Sequence, residues 1–333
     1  MVYVFYRSLL IFFLLLPFGA LYPLLLRGEL KKKRLETLRL QFKDAILAVA
    51  EGLHAGYSVE KYLTGRCGFT KTQVRRLKFR KHGMQVNGMQ VRSTYLLSEG
   101  EVLSVCLDDS AAESHEMEAS GTVPEILYED ADVVAVWKPA GEVVHPSHGH
   151  YQDTLANRLQ SYFQGRGEHV TIRSIGRLDA DTAGILIFAK NQFAAQRLWR
   201  QRENGQFHKT YAAWCEGVFA KEAYREEQSI CAPIGAMAGE LQKMCVTDSG
   251  RPAKTYYQVR IQRDTEAFLI LRLDTGRTHQ IRVHMAWTGH PLLGDPLYGN
   301  GISGRTRADL TAWRAEFCQP MTGDRIVILK DPL

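Results

Sequence analysis

At 333 residues, with 45% hydrophobic and 23% charged side chains, the chain has the composition of a core-forming protein of two or three folded units, which excludes a disordered or fibrous class. Its net charge of +6 permits a polyanionic partner without demanding one, because net charge governs association rather than fold. The six cysteines stand singly, with no Cys-x-x-Cys pair and no short Cys/His cluster, which excludes a zinc ribbon or disulfide framework and predicts buried, reduced thiols.

In chain order, the stretch from Ser8 to Leu26 carries no charge. It is just long enough to cross a bilayer, although Pro17, Gly19 and Pro23 weaken it as a helix, so residues 8–26 form a candidate membrane segment. The basic run Lys31–Arg34 behind it predicts that everything downstream stays cytoplasmic, tethered to the inner face of the membrane if the segment inserts. A cleaved signal peptide is the competing reading, but the apolar run exceeds a normal h-region and no A-x-A site follows. Residues 38–58 place apolar side chains at helical spacing up to Gly56, which predicts a helix. With Gln41, Asp44, Ala45 and the closing Ala55-Gly56-Tyr57-Ser58, they resemble the start of the cytoplasmic domain of TadB-like proteins of type II secretion and pilus machinery. The rest of that domain has no counterpart here, so its function is not carried over.

From Val59 to Leu107, nine Lys/Arg stand against three Glu, so this segment alone equals the net charge of the chain and is the first candidate for phosphate contact. It reads as two short helices, a strand in Met84–Gly88, a turn, and a final strand introduced by Ser98-Glu99-Gly100-Glu101. The basic helix pair, Val86-Asn87-Gly88 and Gly100-Glu101-Val102-Leu103 resemble an S4 domain, a small α/β RNA-binding fold. That resemblance implies RNA contacts at Arg75, Arg76, Lys78, Arg80 and Lys81; a merely solvated helix face is the plainer alternative. Residues 108–124 are polar and acidic and read as a linker.

Residues 125–333 read as an α+β domain with a mixed, largely antiparallel sheet. Expected are two strands around the acidic turn after Tyr128, a strand over Gly184–Lys190, an amphipathic helix over Gln192–Gly205 and a strand from Lys209. A hairpin over Pro252–Gly276, a helix over Thr278–Gly289 and a closing strand from Asp324 follow. Trp199 and Trp287 are expected in the core, and Lys138 is expected either against phosphate or in solvent.

Four segments carry more polar detail than packing needs: Lys138–Ser147, Ser174–Lys190, His208–Gly217 and Leu273–Gly299. Their order and spacing closely resemble the RluA family of pseudouridine synthases, in its RluD-like form with an N-terminal S4 domain. The family's central motif is His-Arg-Leu-Asp-x-x-Thr-Ser-Gly. This chain has Gly176-Arg177-Leu178-Asp179-Ala180-Asp181-Thr182-Ala183-Gly184, with Gly for His and Ala for Ser. The closing motif runs Gly276-Arg277-Thr278-His279-Gln280-Ile281-Arg282-Val283-His284, then Gly289-His290-Pro291 and Gly294-Asp295. The family's Leu-His-Ala is Leu310-Thr311-Ala312 here.

The resemblance implies an enzyme that breaks the C1′–N1 bond of uridine, turns the base and rejoins it through C5. No water, redox cofactor or nucleotide is consumed, so no cofactor is expected, and one carboxylate suffices where a glycosidase needs two. It implies Asp179 as that carboxylate, either nucleophile at C1′ or base at C2′. Arg282 would hold it ionised through a guanidinium fork, and Tyr211 would pack on the base. Arg177 would hold the extruded nucleotide out of its helix, with Leu178, Arg277, His279 and Gln280 as further substrate contacts. Asp181 reads as a turn residue. His145, His279, His284 and His290 lack the carboxylate pairing of a metal site, and no metal is expected. The implied partner is RNA, ribosomal first and transfer RNA second, acted on by a monomer. A membrane-anchored secretion or pilus component, built on residues 1–58, and a non-catalytic RNA-binding module are the alternatives.

Overall fold

The computed structural model describes residues 45–49, 57–65, 67–80, 82–98, 101–107, 118–147, 149–240, 243–301 and 305–332. The expected membrane segment 8–26 and Lys81 lie outside them. Among the described residues no helix is long and apolar enough to cross a membrane. The chain divides into two compact units, Met1–Leu107 and Asp108–Leu333.

The first unit holds strand β1 (Ala45–Val49), helices α1 (Val59–Gly65) and α2 (Lys71–Leu77), and strands β2 (Met84–Val86), β3 (Met89–Gln90) and β4 (Val102–Cys106), in the sheet order β1-β4-β2-β3. α2 starts at a capping box: Thr70 Oγ1 accepts from Gln73 N at 3.1 Å and Gln73 Oε1 accepts from Thr70 N at 2.8 Å. The β2–β3 hairpin turns on Asn87 and Gly88, both at positive φ (51° and 82°), as an Asn-Gly hairpin turn requires. Val59, Leu63, Val74, Leu77, Val86 and Leu103 fill the core beneath. One expectation fails here. Instead of a helix running through residues 38–58, Ala45–Val49 forms a strand antiparallel to β4, from Ala45 opposite Cys106 to Val49 opposite Val102. Tertiary pairing overrides the helical spacing, because the edge of β4 offers the backbone a ladder of partners.

The second unit is built on one ten-stranded sheet. Its elements are β5 (Ile126–Glu129), β6 (Val133–Lys138), α3 (Leu155–Gly165), β7 (Arg173–Ser174), β8 (Ala183–Ala189), α4 (Gln192–Glu203), β9 (His208–Glu216), α5 (Glu222–Arg225), β10 (Gln228–Cys231), β11 (Ile234–Ala236), β12 (Met244–Val246), β13 (Lys254–Gln262), β14 (Glu266–Leu273), α6 (Gln280–Trp287), β15 (Leu310–Cys318) and β16 (Arg325–Leu329). The order is β10-β13-β14-β9-β15-β8-β6-β5, with β16 beside β15 and β7 beside β8; β11 and β12 pair separately. β8 and β15 run parallel and their other neighbours antiparallel, giving the expected mixed, largely antiparallel α+β domain.

Strands β6 and β8 are continuous apolar runs because both faces are covered. Val134, Val136, Leu186 and Phe188 pack with Leu155, Leu159 and Phe163 of α3 and Ile281 and Met285 of α6. Val133, Ala135, Ile185 and Ile187 pack with Ala194, Ala195 and Leu198 of α4. Seven elements of this unit, α3, β7, α5, β10, β11, β12 and β15, answer to no sequence-based expectation. β15 lies at the middle of the sheet, between β8 and β9, although Arg314 and Glu316 break its hydrophobic signal. The end of the expected linker is also tied down: Asn157 Nδ2 donates to Glu118 O at 2.7 Å and Arg158 Nε to Thr122 O at 2.7 Å.

Candidate active site

The register of the sheet sets the site. Gly184 stands opposite Ala312, Ala312 opposite Tyr211, and Tyr211 opposite Leu271, forming one row across β8, β15, β9 and β14. Gly184 has φ 133°, and a Cβ there would fall 2.4 Å from the Ala312 carbonyl oxygen. Only glycine lets β8 lie this close to β15. The loop that enters β8 therefore hangs beside the start of β9, bringing Asp179 and Tyr211 to one cleft of about 820 Å³.

The loop is pinned from below. Ala180 O accepts from Gly141 N at 2.8 Å and from Lys138 Nζ at 2.7 Å, and Asp179 O accepts from Thr182 N at 3.1 Å. Lys138 also donates to the carbonyls of Pro139 (2.9 Å) and Glu142 (2.8 Å). It is neither solvated nor turned to a ligand, as expected from its loop, but fully buried. Burial lowers its ammonium to a pKa of about 8 against the opposing pull of Glu142, Asp181 and Asp179.

The Arg282 fork corrects a second expectation. Nε and Nη2 reach the two carboxylate oxygens of Asp295 at 2.7 and 2.6 Å, and Nη1 lies 3.5 Å from Asp181. Arg282 is 2% exposed and lies under Tyr298, 5.3 Å from the ring centroid. Asp295 Oδ1 also accepts from the backbone N–H of Leu297 and Tyr298, at 2.9 and 3.1 Å. The fork is thus committed to Asp295, and Asp181 is its second partner as well as a turn residue. Asp179 acts on Arg282 only through its field, behind Asp295 and Asp181, which together raise the guanidinium pKa against the effect of burial. Among the described residues Asp179 forms an ion pair with Arg177, at 3.8 Å, whose side chain is 68% exposed.

The expected substrate contacts separate into two groups. Arg177, hydrogen bonded to Thr278 at 3.4 Å, and Arg277, held by Pro252 O at 3.0 Å, line the cleft with Leu178, which is also part of the core beneath. His279 has φ 55° at the start of α6 and its Nδ1 lies 2.9 Å from the Tyr298 hydroxyl. Burial lowers its pKa, opposed by Asp179. Gln280 differs from its expectation. Its Oε1 accepts from Thr275 Oγ1 (2.8 Å) and Arg277 N (3.0 Å), and its Nε2 donates to Lys254 O (3.0 Å) and Thr255 Oγ1 (3.1 Å). An amide so fully engaged fixes the loop and has no hydrogen-bonding capacity left for a ligand. Burial, and then Asp179, push the Tyr211 hydroxyl up to about 12, so it enters the cleft as a neutral phenol.

Other side chains fall away from the site. His284 is buried between Thr255 and Ala232 O, His290 stacks on Phe219, and His145 meets Ser174 Oγ at 2.7 Å. Trp199 and Trp287 are not in the core; they are 42% and 59% exposed. Of the thiols Cys215 alone is buried, while Cys231 is exposed. On the first unit, Arg75, Arg76 and Lys78 are exposed and Arg80 is half-buried. Phe79 beside them is 87% exposed. The signals for Lys138, Asp181 and Asp295 were present in the motifs, but the roles of Lys138 and Asp181 depend on partners far along the chain, Ala180 and Arg282.

A family model described as RNA pseudouridylate synthase matches residues 132–287. The uncharacterized RNA pseudouridine synthase YjbO of Bacillus subtilis is 34% identical over 269 residues, 81% of this chain and 93% of that one. The ribosomal large subunit pseudouridine synthase D of Nitrosomonas europaea is 36% identical over 231 residues, 66% of this chain and 64% of that one. Among solved structures, human RNA pseudouridylate synthase domain containing 1 aligns with a TM-score of 0.53 at 26% identity, covering 65% of this chain and 86% of that one.

Proposed function

The chain belongs to the RNA pseudouridylate synthase family, as an RluA-type enzyme that isomerises uridine in RNA, and from that premise we propose that its substrate is large-subunit ribosomal RNA and that Asp179 carries the reaction. One observation supports the assignment of Asp179. Of the three carboxylates contributed by the two main motifs, Asp181 and Asp295 are paired with Arg282, whereas Asp179, 20% exposed, lines the cleft with Tyr211.

Isomerisation conserves every atom of the nucleotide. The C1′–N1 bond breaks, the uracil turns in place, C1′ bonds to C5, and the C5 proton leaves as N1 regains one. Asp179 acts at the sugar, as nucleophile at C1′ or base at C2′. The Tyr211 ring faces the base, and Arg177 and Arg277 hold the extruded nucleotide. Arg75, Arg76, Lys78 and Arg80 supply phosphate affinity from the first unit. The ribosomal assignment is supported by the likeness to the Nitrosomonas europaea protein and by the basic S4-like unit. Transfer RNA is the second choice.

Asp179→Asn is expected to abolish pseudouridine formation while leaving RNA affinity intact. Mapping pseudouridines in ribosomal and transfer RNA, from cells with and without the gene, tests the substrate. An unchanged ribosomal map removes the ribosomal assignment.

A further inference from the structure

Arg202, in the last turn of α4, is outside every motif considered so far, yet it lines the cleft together with Asp179, Lys209 and Tyr211. Its guanidinium fits between the two motif loops because each has a glycine at the point of approach. A Cβ on Gly176 would lie 2.6 Å from Nη1, and a Cβ on Gly276 would lie 2.6 Å from Nη2. Gly176 is where the central motif has His, and a His side chain there would compete with Arg202 for the same space.

Among the described residues its charge has no carboxylate counterpart. The guanidinium carbon lies 5.1 Å from the centroid of the Trp199 ring, but among the described residues no carboxylate forms an ion pair with Arg202 or with Lys209. Two of the four carboxylates that line the cleft are engaged elsewhere: Glu316 with Arg314 and Arg325, Asp274 with Arg272 at 3.5 Å and Tyr256 at 2.8 Å. Lys209 is lowered to a pKa of about 7, first by burial and then by Arg202. Arg202 disfavours the charged form of Lys209, an anion seated beside both restores it, and a guanidinium presents the donor fork that phosphate oxygens match.

We propose that Arg202, with Lys209, seats the RNA phosphodiester next to the target uridine. The proposal rests on the RNA substrate of the family and not on the choice of ribosomal RNA. A contact to a uracil carbonyl is the competing role, and salt separates the two, because only a phosphate contact releases a counterion on binding.

The test uses the full chain and poly(U), a single strand in which every base is a uridine. Affinity is measured by anisotropy across a salt series for wild type, Arg202→Gln, Arg202→Lys and Lys209→Gln. Arg202→Gln should make the slope of log affinity on log salt shallower by about 0.7, and Arg202→Lys should restore it. An unchanged slope in Arg202→Gln overturns the proposal, whether or not affinity falls. If that variant loses its native circular dichroism, Lys209→Gln decides on the same criterion. On transcribed ribosomal RNA, Arg202→Gln should raise KM roughly tenfold, the loss of one charge-assisted hydrogen bond, with kcat kept. A lower kcat at unchanged KM counts against it. Failure of the wild type to modify ribosomal RNA would remove the ribosomal assignment and leave the poly(U) result standing.

Discussion

The ammonium of Lys138 donates a 2.7 Å hydrogen bond to the carbonyl of Ala180, the residue between Asp179 and Asp181. A buried cation at the end of β6 therefore fixes the backbone that presents the cleft carboxylate. Its three carbonyl acceptors explain how a lysine can be buried there without an ion pair.

Lys138→Met should lower kcat, because Ala180 loses its anchor, and should change the pH dependence of stability. The folded pKa of about 8 lies below the ordinary lysine value, so between these limits the unfolded chain holds more protons than the folded one. Stability linked to Lys138 therefore rises with pH from about 8 to about 10.5, by roughly 3 kcal/mol in all. Urea melts at intervals across that range, wild type against Lys138→Met, should show the difference growing with pH. A constant difference would refute the linkage.

Arg282→Gln leaves Asp295, whose side chain is fully buried, as an uncompensated charge. Loss of one partner of a buried pair costs about 3–5 kcal/mol, and thermal melting should show it. Arg282→Lys restores the charge without the fork and should recover only part of the loss. Full recovery would mean that charge alone matters there.

Gly184→Ala should destabilise the second unit by about 2–5 kcal/mol, from backbone strain at positive φ and the clash with Ala312. The contact carries the register of the active-site row, so kcat should fall even where the variant is folded. A variant with wild-type melting and activity would show that β8 and β15 can separate at no cost.

Arg75→Gln with Arg76→Gln should make the salt dependence of RNA binding shallower by about 1.4, near 0.7 for each lost phosphate contact. The kcat at saturating RNA should hold. An unchanged slope would mean that these exposed charges are only a solvated helix face.

The strands that pair locally were legible in the sequence. β5 with β6 and β13 with β14 are set by alternation and turn chemistry over a few residues, whereas the strand expected over Met84–Gly88 ends at Val86 and turns on Asn87-Gly88. So was the neighbourhood of Asp179, because Arg177-Leu178-Asp179 and the run from Gly276 to His284 carry their pattern in contiguous order. β15 was not legible, since a strand with Arg314 and Glu316 is central only because β8 and β9 flank it. The expected helix through residues 38–58 failed at Ala45–Val49 for a similar reason: its partner, β4, lies more than fifty positions along the chain.

By itself, then, the sequence determined the family and with it the kind of chemistry, and pointed to the carboxylate proposed for it, because motif spacing is a property of contiguous residues. The tertiary structure decided what each of those residues touches. It committed the Arg282 fork to Asp295 and Asp181, buried Lys138 beneath Ala180, and brought Arg202 against Gly176 and Gly276. Apart from the Arg282–Asp295 pair, thirteen positions apart, these contacts join segments separated by tens of residues, and only the packing of the sheet and its helices sets those distances.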